Sequence, residues 1–144
     1  MKSKILLTIV ILINIFIWTN SLLPSNLSSS QSGLIVNIIY PIFKNVLDVN
    51  TFTTIIRKLA HFTQFMLLAI VSCYYFKSIN MKKTYSVTLT YGLLVAIIDE
   101  TIQLFIPGRA GLITDVLIDL LGVLFGLFIV YIISIIKLKH INNK

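Results

Sequence analysis

Residues 84–136 read TYSVTLTYGLLVAIIDETIQLFIPGRAGLITDVLIDLLGVLFGLFIVYIISII, two apolar runs separated by a short polar turn. The first run covers about residues 84–106 and the second about 112–136, and each exceeds the roughly 20 residues that a helix needs to cross a bilayer. Residues 107–111 lie between them, and their proline and two glycines are typical of a tight turn. This stretch predicts two antiparallel transmembrane helices joined by a hairpin turn.

The composition extends this prediction to the whole chain. Of 144 residues, 57% are hydrophobic and only 12% are charged, about half the charged fraction of a soluble domain. Two further runs, at about residues 5–23 and 59–76, are also long enough to cross a bilayer. We therefore predict an all-α fold: a single integral membrane domain over residues 1–144, built as a four-helix bundle. The single cysteine excludes an internal disulfide and a CxxC metal site.

The segment between the first two predicted spans has two parts. Residues 25–33 are rich in Ser and Asn, which is typical of a flexible exterior loop. Residues 34–47 are apolar but short for a span, and Pro41 interrupts them, so we predict a short interfacial or re-entrant helix. The N-terminal run begins like a secretory signal, but no small-residue cleavage site is evident, so we expect an uncleaved anchor.

The lysines predict the orientation in the membrane. Eight of them flank the spans on one side without any acidic residue: Lys2, Lys4, Lys77, Lys82, Lys83, Lys137, Lys139 and Lys144. The positive-inside rule places that side in the cytoplasm, with both termini inside (N-in/C-in). All five acidic residues then fall on the outer side or in the outer half of the spans. The net charge of +7 is thus a topology signal, and we expect no nucleic-acid partner.

Charged residues at the outer ends of the last three spans are the strongest functional signal. A charged side chain in hydrocarbon costs about 2.5–3.5 kcal/mol, so a group of them requires partners, water or a function. The group comprises Arg57, Lys58, His61, Asp99, Glu100, Arg109, Asp115 and Asp119, with Asp48 nearby but outside the bilayer.

Helical periodicity arranges these residues and their polar neighbours in three stripes. The stripes are Arg57, His61 and Gln64 on the second span, Asp99, Glu100 and Gln103 on the third, and Asp115, Asp119, Gly122 and Gly126 on the fourth. Gly122 and Gly126 form a GxxxG step, which allows close packing of a helix from the same chain or from a second copy, so the oligomeric state stays open. Stripes at matching depth predict one shared pocket that opens outward.

Several kinds of chemistry fit such a pocket. His61 could act as a general base or nucleophile that Asp99 or Glu100 orients, and a buried carboxylic acid could donate a proton. Arg57 and Arg109 could hold a phosphate through paired hydrogen bonds. We therefore predict His61, Asp99 and Glu100 as acid–base residues. The predicted ligand-binding residues are Arg57, Lys58, Gln64, Gln103, Arg109, Asp115 and Asp119.

Other interpretations of the charges are weaker. Three cationic side chains face four carboxylates in the membrane, so the group could instead form a structural ion-pair network that fixes the register of the helices. A metal site would combine His61 with carboxylates around Mg²⁺ or Mn²⁺, but one histidine without a recognised ligand spacing leads us to predict neither a metal nor another cofactor. A proton pump is disfavoured because every charged group lies in the outer half of the spans.

Three motifs resemble segments of VanZ-like membrane proteins. Residues 57–65 (RKLAHFTQF) are similar to their KxxHFxxF segment, residues 99–109 (DETIQLFIPGR) to DExxQxxxPGR, and residues 115–122 (DVLIDLLG) to DxxxNxxG. The Ser-rich stretch around Gln31 is similar to a sequence in their first exterior loop. Asp119 departs from the pattern, because many relatives have Asn at that position.

The resemblance implies a multi-pass protein of the bacterial plasma membrane, in a family whose named member is associated with resistance to the glycopeptide teicoplanin. Together with an outward-facing pocket, it predicts a cell-envelope protein that binds or modifies a polar-headed ligand. The expected partners are membrane lipids and either a lipid-linked cell-wall precursor or a glycopeptide. Whether the protein is an enzyme stays open, and the alternative is a non-catalytic structural membrane protein.

Overall fold

The computed structural model describes residues 1–142, apart from the side chains of residues 25–32 and 34. This part of the chain contains five helices and no strand. The helices are α1 (Lys2–Ser21), α2 (Ser25–Phe43), α3 (Val49–Ser78), α4 (Thr84–Leu104) and α5 (Ile113–Asn142). All except α2 are long and apolar enough to cross a membrane, in agreement with the four predicted spans. The all-α prediction is confirmed.

Local sequence explains where the helices near the site begin and end. α3 starts well before the predicted span because the Asp48 carboxylate caps it, accepting hydrogen bonds of 3.0 Å from the backbone N–H groups of Asn50 and Thr51. The turn after α4 contains Gly108 at a φ of 75°, a left-handed conformation that favours glycine. The charged residues at the start of the predicted second span therefore lie within a continuous helix.

α3 and α5 form the most extensive helix pair and run parallel to each other. The glycines of the GxxxG step lie against α3, Gly122 on the backbone of Phe62 and Gly126 on that of Met66. A Cβ atom at Gly126 would lie 2.5 Å from the Met66 carbonyl oxygen, so only glycine permits this approach. The GxxxG step therefore serves a contact within the chain.

α1 and α4 also run parallel to each other, but in the opposite direction to α3 and α5. Asn14 contacts Tyr91 and Ser21 contacts Asp99, so both helices progress towards the same end of the bundle. There Asp99 meets His61 in the first half of α3. We call this end, which contains the C-termini of α1 and α4 and the N-termini of α3 and α5, the site end.

The opposite end is called the lysine end. It contains the start of α1, the α3–α4 link and the end of α5, and with them Lys2, Lys4, Lys77, Lys82, Lys83, Lys137 and Lys139. Lys144, the eighth lysine of the predicted set, lies outside the described residues. Which side of a membrane this end faces stays a prediction.

The first half of α2 is helical, whereas the sequence predicts a loop there. The backbone is helical from Ser25 onward, so the prediction of a loop over residues 25–33 is wrong. The apolar residues that follow continue the same helix, and its end packs on α3, where the rings of Tyr40 and Phe43 lie 5.6 and 5.5 Å from that of Phe52. Pro41 occupies the last turn and does not interrupt the helix. An interfacial position of α2 stays a prediction.

The spanning helices enclose an apolar core and present apolar surfaces outward. The core side chains include Val10, Ile17, Phe65, Leu68, Ala69, Cys73, Val95, Ala96, Val123 and Val130. Many large Ile, Leu and Phe side chains on the outer faces are exposed, as a helix in contact with lipid requires.

Candidate functional site

The site end brings together the polar stripes of α3, α4 and α5. His61 lies in the first half of α3, Asp99 and Glu100 near the end of α4, and Asp119 near the start of α5. Because α4 runs antiparallel to α3 and α5, these positions reach the same depth in the bundle. One nitrogen or oxygen atom from each of the four side chains lies within 4.8 Å of the others.

Two of these carboxylates belong to a buried chain of hydrogen bonds. Asp99 accepts from the hydroxyl of Ser21 and, at 3.1 Å, from Nε2 of Gln103. The same Nε2 donates to Oε1 of Glu100 at 2.9 Å, and the backbone N–H of Leu112 donates to Oε2 of Glu100 at 2.9 Å. The chain joins α1, α4 and the start of α5, and it orients both carboxylates.

Gly111 allows the turn before α5 to close onto α4. A side chain at this position would collide with the backbone carbonyl of Glu100 and would lie 2.8 Å from Cγ of Leu104. Without that close approach the Leu112 N–H could not reach the Glu100 carboxylate. The PGRAG turn is thus part of the site as well as a connection between helices.

Asp119 and His61 form the unsatisfied part of the site. Asp119 is fully buried, and neither of its carboxylate oxygens has a hydrogen-bond partner among the described residues. Nδ1 of His61 is also buried without a partner, 3.5 Å from Oδ1 of Asp119 and 3.9 Å from Oδ2 of Asp99. A buried carboxylate without partners is costly, so this point of the site favours the entry of a proton or a cation.

A cavity of about 210 Å³ opens beside this buried layer. Its lining residues are Thr54, Arg57, Lys58, His61, Gln103, Gly108, Arg109, Ala110, Leu112, Asp115 and Ile118. Three of them are cationic, and Asp115 is the one carboxylate among them. His61 and Gln103 line the cavity and also contact the buried carboxylates, so they separate it from the acidic layer behind.

Some predicted site residues lie outside the cavity wall. Asp99, Glu100 and Asp119 are in the buried layer, and Gln64 is half-buried on α3 without lining the cavity. Gln64 lies one turn beyond His61 towards the lysine end, which is deeper in the bundle than the cavity reaches. The roles assigned to all of these residues stay predictions.

The cationic side chains make few ion pairs. Nζ of Lys58 lies 3.2 Å from Oδ1 of Asp115, and in the described part of the chain no other Lys or Arg comes within 4.0 Å of a carboxylate. Arg109 donates from Nη2 to the carbonyl oxygen of Asn20 at 3.0 Å, and its Nε is buried without a partner. Burial, followed by the charge of Arg57, lowers the pKa of Arg109 from its ordinary value, but a guanidinium stays protonated at neutral pH.

α1 contributes residues that the sequence analysis leaves out of the site. Ser21 donates to Asp99, and Asn14 donates from Nδ2 to the hydroxyl of Tyr91 at 2.6 Å. Asn14 and Ser21 are seven residues apart, about two helical turns, and therefore share one face of α1. Polar residues on one face of a transmembrane helix commonly mark a contact with another helix, and this signal could have found them.

The four apolar helices and the polar site buried between them define a multi-pass membrane protein. A model of the VanZ/LLP1 family matches residues 5–134, nearly the whole chain. The chain therefore belongs to the VanZ/LLP1 family, as its motifs predict. Neither the search of curated proteins nor that of solved structures finds a match.

Proposed function

We propose that this protein is a bacterial plasma-membrane protein that holds the anionic head group of a surface lipid, or of a lipid-linked cell-wall precursor, in the cavity at the site end. In this proposal the site end faces outward, and occupation of the cavity alters the response to glycopeptides such as teicoplanin. The observation that carries the proposal is the charge of the cavity wall, where three cations accompany one carboxylate.

The donors of this wall support binding of a phosphate or pyrophosphate. Arg57 makes no ion pair among the described residues, and Lys58 shares only a partly exposed pair with Asp115. Arg109 has a buried Nε without a partner. Guanidinium groups bind phosphate oxygens in pairs, and desolvated charge-assisted hydrogen bonds are about twice as strong as neutral ones.

The surface beside the cavity suits a lipid chain. Leu112 belongs to the lining and is half-exposed, and Ile113, the next residue along the chain, is 82% exposed. Phe105, in the same turn between α4 and α5, is 80% exposed. A ligand with an anionic head and an apolar tail would therefore meet cations in the cavity and apolar side chains next to it.

The size of the cavity favours a head group over a whole antibiotic. Drug-sized ligands occupy pockets of about 300–1,000 Å³, and a glycopeptide is larger than most drugs. About 210 Å³ is enough for a phosphate or pyrophosphate group. An effect on teicoplanin would then be indirect, through the lipid that the protein holds or changes.

The same geometry would support a catalytic form of the proposal. His61 lines the cavity and lies next to Asp119 and Asp99, so it could transfer a proton to or from a bound head group. Glu100 lies behind Gln103 and would act on the ligand only through that neighbour.

The test measures binding of a polyprenyl pyrophosphate to the full chain in detergent, with native mass spectrometry as the method of detection. Lys58→Gln is the site variant, and Lys44→Gln is the matched control, because Lys44 is an exposed lysine next to α2 that does not line the cavity. We expect Lys58→Gln to weaken binding about three- to tenfold, since charge-assisted hydrogen bonds contribute about 1 kcal/mol or more. We expect no change for Lys44→Gln.

A polyprenyl alcohol without phosphate controls for the lipid tail. Equal binding of the alcohol and the pyrophosphate, or equal loss in the two lysine variants, would contradict the proposal. In bacteria that express the chain, teicoplanin susceptibility should follow the binding result at equal protein level.

One observation favours a structural function instead. The chain from Ser21 through Asp99, Gln103 and Glu100 to Leu112 connects three helices and is fully buried at its centre. A structural protein predicts that Lys58→Gln leaves lipid binding unchanged and that Asp99→Asn lowers the amount of folded protein. Protein level and lipid binding measured on both variants separate the two functions.

A further inference from the structure

From the geometry of the buried layer we infer that His61, Asp99, Glu100 and Asp119 bind a divalent metal ion, with Nδ1 of His61 and one oxygen of each carboxylate as ligands. This inference does not rest on the lipid proposal, because three of the four ligands lie in the buried layer behind the cavity wall and only His61 belongs to both. It also revises the expectation from sequence that the chain holds no metal.

The spacing of the four side chains fits a metal ion. One ligand atom from each lies within 4.8 Å of the others. In an octahedral or tetrahedral site with metal–ligand distances of about 2.0–2.4 Å, ligand atoms lie about 3–4.8 Å apart. The separation of the four atoms is therefore within the range that a single ion can join.

An independent observation shows that the cluster lacks a partner at its centre. Asp119 is fully buried, both of its oxygens are without hydrogen bonds in the described part of the chain, and it points at His61. Nδ1 of His61 likewise has no hydrogen bond, and it lies 3.5 Å from Oδ1 of Asp119 and 3.9 Å from Oδ2 of Asp99. Buried polar atoms are nearly always satisfied, so three unpaired atoms at one point indicate a ligand that joins them.

The remaining ligands already have the supporting hydrogen bonds that metal sites use. Gln103 donates to both Asp99 and Glu100, and Ser21 and the Leu112 N–H donate to the other oxygens of the two carboxylates. Such outer donors orient metal-binding carboxylates and usually contribute about 10- to 100-fold to metal affinity.

The ligand types select the class of metal. Three carboxylates favour Mg²⁺, Ca²⁺ or Mn²⁺, and the imidazole favours transition metals over Mg²⁺ and Ca²⁺. Mn²⁺ accepts both ligand types, and its charge would offset two of the three buried negative charges. The structure thus assigns the site to a divalent transition ion with mixed nitrogen and oxygen preference.

The experiment uses Mn²⁺ alone and the full chain in detergent, with electron paramagnetic resonance to count free Mn²⁺. We expect one Mn²⁺ per chain for the wild type. Asp119→Asn should weaken binding by at least about tenfold, the lower range for loss of a supporting group. Asp48→Asn is the matched control, because Asp48 lies at the start of α3 outside the cluster, and it should bind like the wild type.

A second measurement does not depend on the folding of the Asp119 variant. Electron spin echo spectra of the wild type should show coupling of the bound Mn²⁺ to an imidazole nitrogen, and His61→Gln should remove it. Wild-type protein that leaves Mn²⁺ free would overturn the inference, and so would bound Mn²⁺ without nitrogen coupling. Equal affinity of the Asp119→Asn and Asp48→Asn variants would also overturn it and would indicate that a proton satisfies Asp119.

Discussion

Polar side chains are buried towards both ends of the bundle, but their hydrogen bonds are of different kinds. At the lysine end, the buried hydroxyls of Ser72 and Thr88 donate to carbonyl oxygens of their own helices at 2.6 and 2.8 Å. The half-buried Ser134 does the same at 2.8 Å and also accepts from Nζ of Lys77 at 3.2 Å, between α5 and α3.

At the site end, two buried carboxylates accept hydrogen bonds from outside their own helix, Asp99 from Ser21 of α1 and Glu100 from the Leu112 N–H before α5, in addition to those from Gln103 within α4. The Asp119 carboxylate and Nδ1 of His61 have no hydrogen bond among the described residues.

The two ends differ in what their buried polar groups require of their surroundings. A hydroxyl that returns to its own helix needs no partner elsewhere and makes little demand on its surroundings. A buried carboxylate without partners lowers stability, and a sequence keeps it only where it has another use. The buried hydroxyls of the lysine end are therefore satisfied by their own helices, whereas the site end combines a chain of hydrogen bonds with buried polar atoms that have none.

The largest effect should come from the α3–α5 contact that holds the site together. Gly122→Leu would place a side chain against the Phe62 carbonyl and separate the helices, at a cost of about 3 kcal/mol or more. We expect loss of folded protein, measured as the monodisperse fraction after extraction in detergent. Gly33→Leu is the control, because a Cβ at Gly33 has no atom within 4 Å. Equal yields of the two variants would contradict the packing described for α3 and α5.

A matched pair of serines tests the comparison directly. Ser21 and Ser72 are both buried, with 1% and 0% of their surface exposed. Ser21→Ala removes a donor to Asp99 and should cost about 1.5–3 kcal/mol, whereas Ser72→Ala removes a bond within α3 and should cost less than about 1 kcal/mol. Unfolding in detergent with added denaturant measures both. Equal losses would show that the two ends do not differ in this way.

Asp119→Asn should change stability less than Gly122→Leu or Ser21→Ala does, and it should not lower it. In the presence of a chelator, the substitution removes a buried carboxylate that has no hydrogen bond and lies 3.5 Å from Nδ1 of His61, and it should leave stability unchanged or raise it by about 1 kcal/mol. The same denaturant titration measures it. A loss of more than about 1 kcal/mol would mean that Asp119 is a structural partner of His61.

The smallest effect concerns the cap of α3, which is exposed. Hydrogen bonds from Thr51, first from its side chain and then from its backbone, lower the pKa of Asp48 below its ordinary value of 3.8. Because the pKa is depressed in the folded chain, the cap is fully effective above pH 3.8 and is lost as the pH falls through the folded value. Hydrogen exchange of residues 50–53 should rise only in that acidic range, after correction for intrinsic rates. The Asp48→Ala variant should show the faster exchange at every pH.

Much of the fold follows from the sequence, because bilayer thickness sets the length of the helices and glycine spacing sets one of their contacts. Bilayer thickness accounts for the four spans and for the hairpin turn between the last two. Glycine spacing accounts for the packing of Gly122 and Gly126 against α3. The helical start of α2 does not follow from the sequence in this way, because Ser and Asn are common in loops, whereas the backbone is helical from Ser25 onward.

The site was predictable in its members more than in its arrangement. The stripes indicate that His61, Asp99 and Asp119 face a common centre, and they do meet. The sequence does not predict that the cations line the cavity while three of the acidic residues are buried behind it. This arrangement depends on the depth and tilt of the packed helices. The contribution of Ser21 depends likewise on the pairing of α1 with α4.

The most direct test of the account is the position at which a photoreactive polyprenyl pyrophosphate, with the reactive group next to the phosphates, labels the full chain. We expect labelled peptides around Arg57–His61 and Arg109–Asp115, which flank the cavity, and we expect inorganic pyrophosphate to compete with the labelling. Labelling confined to the lysine end, or spread evenly over the lipid-facing surface and insensitive to pyrophosphate, would contradict the proposed function.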